Sequence, residues 1–135
     1  MNNLFVLVII IVLSAGSNNG SKLFPKNQLY FRNSFNRNYD ILTVHCKSDK
    51  DDLGIHTVAR SYVYFFKFGD SIFGDTEIVC TLNHGVSATK YKVTFTAYKE
   101  SRFVIRFGAI KIWEARDDGI YLTDEDHDAV KMYGW

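Results

Sequence analysis

SYVYFFKF, residues 61–68, is the most regularly patterned stretch of the sequence. Its aromatic side chains include one series at every second position, at Tyr62, Tyr64, Phe66 and Phe68. Successive side chains of a β-strand point to opposite faces, so these four rings share one face of a predicted strand. We interpret that face as part of a hydrophobic core rather than as a binding platform, with room for one exposed tyrosine at an end of the strand.

Seven further alternating runs flank this stretch. They cover residues 28–32, 41–46, 77–82, 91–98, 103–107, 109–115 and 119–122. In the run at 91–98, Tyr91, Val93, Phe95 and Ala97 are predicted to face inward, and Lys92 and the two threonines face outward. Turn-forming residues separate the runs, and no window of eleven residues has a helical period. This spacing predicts an all-β fold, a small antiparallel β-sandwich of seven to eight strands.

The composition agrees with a β fold and argues against nucleic-acid binding. The chain has 11 Phe, 8 Tyr and 2 Trp among its 135 residues, and large rings favour half-buried pleated surfaces. Its 16 basic and 15 acidic residues leave a net charge of +1. A nucleic-acid-binding protein is expected to have a basic stripe, so no nucleic-acid partner is predicted.

The N-terminal segment has the organisation of a secretory signal peptide. Residues 4–13 form an unbroken apolar run, and the small residues Ser14, Ala15 and Gly16 follow. A membrane span needs about 20 apolar residues, so we expect no stable membrane insertion. We assign residues 1–20 to the signal peptide, with cleavage between residues 16 and 20, residues 21–122 to the β-sandwich and residues 123–135 to a C-terminal tail. The predicted protein is secreted and extracellular.

Two cysteines, Cys46 and Cys80, lie beyond the predicted signal peptide. In an oxidising compartment such a pair is expected to form a disulfide, and two separate buried thiols are the alternative. The sequence also has one N-glycosylation sequon, at Asn19. This sequon lies so close to the predicted cleavage site that processing can remove it, so glycosylation is only a candidate modification.

The sequence lacks the common motifs of enzymes and metal sites. Asp49, Asp51 and Asp52 do not have the register of a calcium-binding loop, and a solvated turn explains them better. The four histidines lack zinc-ligand spacing, and His45 and Cys46 are neighbours that a strand directs to opposite faces. No nucleophile elbow, phosphate-binding loop or dinucleotide fingerprint is present. We therefore predict a protein that is not an enzyme and uses no catalytic residue, metal or cofactor.

The stretch HCKSDKDDLG, residues 45–54, resembles the signature of the plant self-incompatibility protein homologues, small secreted relatives of the stigmatic S-proteins. Similar motifs follow in the same order: YFFKF at 64–68, FGDT at 73–76 with Cys80, and Trp113 with DGIY at 118–121. The resemblance extends over residues 29–121, nearly the whole chain after the signal peptide. Family members usually have two more cysteines shortly before the tryptophan, whereas residues 103–113 contain none. This difference resembles the loss of one complete bridge, which would leave Cys46 and Cys80 as the other.

The resemblance implies a secreted β-sandwich, without cofactor or known catalysis, that acts as an extracellular ligand in cell–cell signalling. The founding members trigger rejection of self pollen through a receptor on the pollen. The expected partner is accordingly a cell-surface receptor protein, bound by a monomer. Binding residues commonly lie in loops on a rigid scaffold. The candidates for contact with the partner are Lys47, Ser48, Asp49, Asp51, Asp52, Asp70, Asn83 and His84.

A second function fits the same secreted class. It is a small defence or toxin-like protein that acts on membranes or microbial surfaces. The near-zero net charge argues against it, since membrane-active proteins of this kind are usually cationic.

Overall fold

The computed structural model describes residues 25–69, 76–85, 91–100 and 106–135. These residues form nine strands, so the all-β prediction is confirmed and the predicted number of strands is too low. The strands are β1 Asn27–Asn33, β2 Leu42–Ser48, β3 Asp52–Val58, β4 Val63–Phe68, β5 Glu77–His84, β6 Tyr91–Lys99, β7 Ile110–Arg116, β8 Gly119–Thr123 and β9 Val130–Tyr133. The predicted signal peptide, Asn19, Asp70 and most of the predicted strand at 103–107 lie outside the described residues.

The strands form two sheets. One has five strands in the order β4-β1-β7-β8-β9, and the other has four in the order β3-β2-β5-β6. β1 runs parallel to β7, with Phe31 opposite Trp113. All other pairings between described strands are antiparallel. The predicted antiparallel sandwich is therefore correct except at this one central pair.

The core lies between the two sheets and contains the faces that alternation predicts as apolar. Leu29, Phe31, Leu42, Val44 and Leu82 are completely buried there. The Phe95 ring of the four-stranded sheet lies 4.6 Å from the Trp113 ring of the five-stranded sheet. The Trp113 Nε1–H also donates a hydrogen bond of 3.1 Å to the Ala97 carbonyl across the interior. This bond satisfies the indole donor, which is costly to bury without a partner.

The aromatic series of residues 61–68 forms part of this core, as predicted. Tyr64, Phe66 and Phe68 pack against the buried cluster. The Phe66 ring lies 6.3 Å from Phe31. Tyr62, just before β4, is 69% exposed, so the one exposed tyrosine expected at an end of the strand is also found.

A β-bulge in β6 changes the orientation of one residue from that predicted by simple alternation. Ile78 pairs with Tyr98 and the adjacent Val79 pairs with Thr96, so Ala97 is the additional residue. As a result, both Ala97 and Tyr98 are buried. A bulge shifts the side-chain alternation by one residue, which explains the inward direction of Tyr98.

The C-terminal segment is part of the sandwich, so the predicted tail at 123–135 is wrong. β9 pairs antiparallel with β8 and forms an edge of the five-stranded sheet. The Tyr133 ring lies 4.9 Å from the Phe95 ring, and the Trp135 Nε1–H donates a 2.7 Å hydrogen bond to the Arg116 carbonyl. A Cβ atom at Gly119 would collide with the Tyr133 carbonyl, so β9 requires glycine at this position.

Candidate functional site

The predicted contact residues between 47 and 52 form a well-ordered turn between β2 and β3. The Ser48 N–H donates to the Asp51 carbonyl at 2.8 Å, and the Asp51 N–H donates to Ser48 Oγ at 3.2 Å. Asp49, Lys50 and Asp51 are exposed between the two strands. The solvated turn that the acidic stretch predicts is therefore confirmed, and we refer to residues 47–53 as the acidic turn.

Asp52 organises the base of this turn. Its Oδ1 accepts a 2.9 Å hydrogen bond from the Gly54 N–H and lies 2.7 Å from His45 Nε2. Lys47 Nζ lies 4.0 Å from the second carboxylate oxygen. The Gly54 hydrogen bond, followed by the hydrogen bond and charge of His45, lowers the pKa of Asp52 below its ordinary value. The ionised carboxylate is thus part of the structure of the turn.

The disulfide lies on the opposite side of β2 from His45. Cys46 and Cys80 are cross-strand partners in β2 and β5, with their Cα atoms 4.0 Å apart and their Sγ atoms bonded. Both cysteines are buried, whereas His45 belongs to the outer face, as the alternation predicts. The predicted disulfide is confirmed, and it fixes β2 to its neighbour immediately before the acidic turn.

An open groove of about 380 Å³ lies beside the acidic turn. Its apolar lining comes from Leu53, Phe66, Phe68 and Ile78. The charged residues 49–51 of the turn line the same groove, together with Lys67 and Glu77. An apolar surface next to exposed charges of both signs is typical of a surface that binds another protein.

Asn83 and His84 lie at the other end of the sandwich from the acidic turn. β5 is antiparallel to β2, so Ile78 pairs with Ser48 and Asn83 pairs with Thr43. Ile78 and His84 are six residues apart, which corresponds to about 20 Å of strand. The structure therefore brings together the candidates from Lys47 to Asp52 and separates Asn83 and His84 from them.

Aromatic rings surround His84 at this end of the sandwich. Its ring centroid lies 4.3 Å from Phe35, 4.9 Å from Tyr91 and 4.4 Å from Trp135. Asp40 Oδ1 is 3.7 Å from His84 Nδ1. Burial lowers the pKa of His84, and this effect outweighs the nearby charges of Asp40 and Asp117, which act in the opposite direction.

Asp40 belongs to the loop between β1 and β2, and this loop places it beside His84. Asn33, fully buried at the end of β1, donates through Nδ2 to the carbonyls of Asp40 and Val58, at 2.8 Å each. Its Oδ1 accepts a 3.0 Å hydrogen bond from the Phe35 N–H. One side-chain amide thus connects both ends of the loop to β3 and leaves none of its own polar atoms unsatisfied.

A cleft of about 350 Å³ opens next to His84. We call it the His84 cleft, and its side chains are those of Arg37, Tyr39, Asp40, His84, Tyr91 and Asp117. Of these, the sequence identified only His84 as a contact candidate. The others were missed because they come from separate loops and strands that alternation does not bring together. Trp135 was missed as a neighbour because the sequence of the C-terminal segment predicts a tail.

The described residues show neither a metal site nor a membrane helix. Within them, no group of three or more His, Cys, Asp or Glu side chains is placed to hold a metal ion. No helix in the same part of the chain has the length and apolar character needed to cross a membrane.

The geometry defines a class of protein: a small, disulfide-bonded β-sandwich of two sheets. The chain matches the family described as "Plant self-incompatibility protein S1" over residues 28–135. This protein belongs to that plant self-incompatibility family, as its sequence motifs predict.

Curated relatives and a solved structure agree with this assignment. S-protein homolog 11 of Arabidopsis thaliana is 39% identical over 137 residues, covering 100% of this chain and 94% of its own length. S-protein homolog 8 of the same plant is 36% identical, covering 100% of this chain and 99% of its own. A solved self-incompatibility protein homologue superposes with a TM-score of 0.69 and 19% identity, over 83% of this chain and 96% of that one. That structure is described as one of "a widespread family of small, highly stable, secreted proteins from plants", so the prediction of a secreted protein agrees with the family.

Proposed function

We propose that this protein is a secreted signalling ligand that a cell-surface receptor recognises through the acidic turn. The observation that supports it best is the turn itself, because hydrogen bonds close its backbone and it presents exposed charges next to an apolar groove. A rigid loop loses little conformational entropy on binding, so more of the contact energy remains as affinity. Three carboxylates and two lysines line the groove, so the receptor surface that fits it has an excess of basic side chains around an apolar protrusion.

We infer that the protein works by binding and not by catalysis. His45 of β2 and Asp52 of the turn most resemble a catalytic pair, at 2.7 Å. Asp52 also accepts the Gly54 N–H, which is the interaction expected of a residue that stabilises a turn. The lining of the groove contains neither of these two residues.

Binding to plant plasma-membrane vesicles tests the proposal. The labelled mature protein should bind vesicles saturably, and protease treatment of the vesicles should abolish the binding. Replacing both Asp49 and Asp51 by Lys should weaken the binding about ten-fold or more, because it reverses the charge that the receptor meets. Asp128→Lys is the matched control, since Asp128 is exposed and lies outside the groove lining.

The same experiment separates receptor recognition from the alternative function. Equal binding to protein-free lipid vesicles, or leakage of their contents, would contradict a receptor and favour a membrane-active defence protein. Sedimentation analysis of the same preparation should give the mass of one chain, since we propose that the ligand is a monomer.

We further propose that the signal belongs to reproduction and leads to rejection of self pollen. The name of the matched family supports this setting. Purified protein added to germinating pollen should arrest pollen from the parent plant and spare pollen from unrelated plants. If neither kind of pollen is arrested, the ligand acts in signalling in another tissue.

A further inference from the structure

His84 is a buried side chain whose two ring nitrogens have no hydrogen-bonding partner. Only 10% of the side chain is exposed, and each nitrogen has less than 1 Å² of accessible surface. The nearest carboxylate oxygen, Asp40 Oδ1, lies 3.7 Å from Nδ1, which is too far for a hydrogen bond. Most buried polar atoms in proteins are paired, so two covered and unpaired nitrogens on one ring call for an explanation.

Aromatic rings cover the imidazole of His84. Three ring centroids lie close to it, at 4.3, 4.9 and 4.4 Å for Phe35, Tyr91 and Trp135. Trp135 follows β9, a strand of four residues at the edge of its sheet. Its Nε1–H donates a 2.7 Å hydrogen bond to the Arg116 carbonyl. Short edge elements open at a lower free energy than core strands, so Trp135 is the part of the cover that can leave most readily.

This environment suits the neutral imidazole better than its protonated form. The neutral ring buries one N–H donor and one acceptor nitrogen, whereas the imidazolium buries two donors and a positive charge. A charge buried without hydrogen-bonding partners costs far more free energy than a neutral polar group. Burial accordingly lowers the pKa of His84 below its ordinary value of 6.5, and the charges of Asp40 and Asp117 offset only part of this effect.

Charged and titratable groups of three elements surround His84 in the described part of the chain. They are Arg37, Tyr39 and Asp40 of the loop between β1 and β2, Tyr91 of β6, and Asp117 between β7 and β8. Asp117 accepts hydrogen bonds from the Asn36 backbone N–H at 3.2 Å and from Asn36 Nδ2 at 2.6 Å. Neither Asp117 nor Asp40 bonds a nitrogen of His84. The covered ring therefore has carboxylates nearby and no acceptor in contact with it.

We propose that protonation of His84 releases the Trp135 cover, so that acidification opens this end of the sandwich. Departure of Trp135 lets water reach the imidazolium and accept hydrogen bonds from its two N–H groups. A histidine whose pKa is lowered by the closed structure favours that structure fully above pH 6.5. This preference is lost as the pH falls from 6.5 towards the lowered pKa. Opening also exposes the Phe35 and Trp135 rings, so acid converts a covered end into an apolar surface.

The first measurement is an NMR titration of His84 in the mature secreted protein. The imidazole signals are assigned by their through-space contacts with the Phe35, Tyr91 and Trp135 rings. They are followed over the range in which histidines change charge, from about pH 8 to about pH 5. The midpoint for His84 should lie below 6.5, because the closed site disfavours the imidazolium. A midpoint at or above 6.5 would overturn the proposal.

The second measurement compares hydrogen exchange at the two indole N–H groups. The protection of the Trp135 N–H, taken relative to the intrinsic exchange rate at each pH, should fall several-fold between about pH 7 and about pH 5. The Trp113 N–H is the internal control, because it donates to the Ala97 carbonyl in the core and should keep its protection. Unchanged protection of Trp135 would overturn the proposal. Equal loss at both indoles would also overturn it, since that result indicates unfolding of the whole domain.

Two matched variants assign the response to His84. His84→Phe keeps an aromatic ring and removes two unpaired nitrogens, so it should be at least as stable as the original protein at neutral pH. Trp135 protection should no longer depend on pH in this variant, and it should keep its dependence in His127→Phe, where an exposed histidine is replaced. A response that persists in His84→Phe, or is lost in both variants, would contradict the proposal. None of these residues belongs to the acidic turn, so failure here leaves receptor recognition by that turn unaffected.

Discussion

Cys46 and Asp52 hold β2 from opposite sides at the start of the acidic turn. Cys46 is bonded to Cys80 in the core, and Asp52 connects His45 to Gly54 on the outer face. One contact is covalent and independent of pH, and the other needs an ionised carboxylate. The two contributions can therefore be distinguished by experiment.

Loss of the disulfide should lower the free energy of unfolding by about 2–5 kcal/mol. Cys46→Ala removes the bridge and leaves a thiol at Cys80, whereas the Cys46→Ala/Cys80→Ala variant removes both, so agreement between them assigns the loss to the bridge. Urea unfolding measures it, and secretion should fall in both variants. Thiol labelling of the denatured, unreduced protein should detect no free thiol at these positions, and two reactive thiols per chain would contradict the bridge.

Asp52→Asn should destabilise the protein at neutral pH, and the difference should disappear in acid. A carboxylate whose pKa is lowered by folding stabilises the fold above its unfolded value, here 3.8, and loses that effect as the pH falls through the folded pKa. The unfolding temperatures of the two proteins should therefore differ at pH 7 and converge below about pH 4. Asp49→Asn, on an exposed aspartate of the same turn, is the control. A difference that persists unchanged in acid would show that the carboxylate charge is not the cause.

At the level of elements, the C-terminal strand depends on one glycine. β9 passes so close to Gly119 that the Tyr133 carbonyl occupies the space of a Cβ atom. Tyr133 and Trp135 then reach the Phe95 and Phe35 rings of the core. A disturbance at Gly119 should therefore spread to this part of the core.

Gly119→Ala should lower the free energy of unfolding by about 1–3 kcal/mol, the usual cost of an added group in a filled space. Gly134→Ala is the matched control, because a Cβ there meets no atom within 4 Å, and we expect a change within about 0.5 kcal/mol. Urea unfolding followed by tryptophan fluorescence gives both values. Equal stability of the two variants would contradict the close approach of β9 to β8.

Strands with a clear apolar alternation could be predicted from sequence, and β3 and β9 could not. β1, β2 and β5 each place buried apolar side chains at alternate positions against the core, which makes their alternation clear. β3 and β9 lie at sheet edges and have at most one buried side chain each, and Ile55 and Met132 are exposed. Neither strand buries much apolar area, so its sequence carries a weak pattern, whereas the edge strands β4 and β6 pack aromatic rings against the core and alternate clearly. The inward turn of Tyr98 was equally unpredictable, because a bulge leaves no clear local signal.

At the level of the whole molecule, the structure has two candidate binding regions at opposite ends of β5. The acidic turn could be predicted from sequence because its residues are contiguous. The His84 cleft could not, since it collects Arg37, Asp40, His84 and Asp117 from segments that only the tertiary fold brings together. The parallel pairing of β1 with β7 has the same origin, because it joins strands separated by most of the domain.

The secreted protein should begin between Ser17 and Ser21. The apolar run ends at Leu13 and small residues follow, which is the arrangement that signal peptidase cleaves. N-terminal sequencing of the protein recovered from the medium measures the new terminus. An intact Met1 in that product would contradict the signal peptide.

The Cys46–Cys80 bridge closes a covalent ring that contains both β3 and β4. β3 belongs to the four-stranded sheet and β4 to the five-stranded one, so the ring includes strands from both layers. The connection between these strands passes through exposed residues at Arg60 and Ser61. A trypsin-like protease that cuts after Arg60 would open the ring without releasing a fragment, because the bridge still joins the two pieces. A single nick by an extracellular protease at this site would therefore leave a two-chain protein that separates only on reduction.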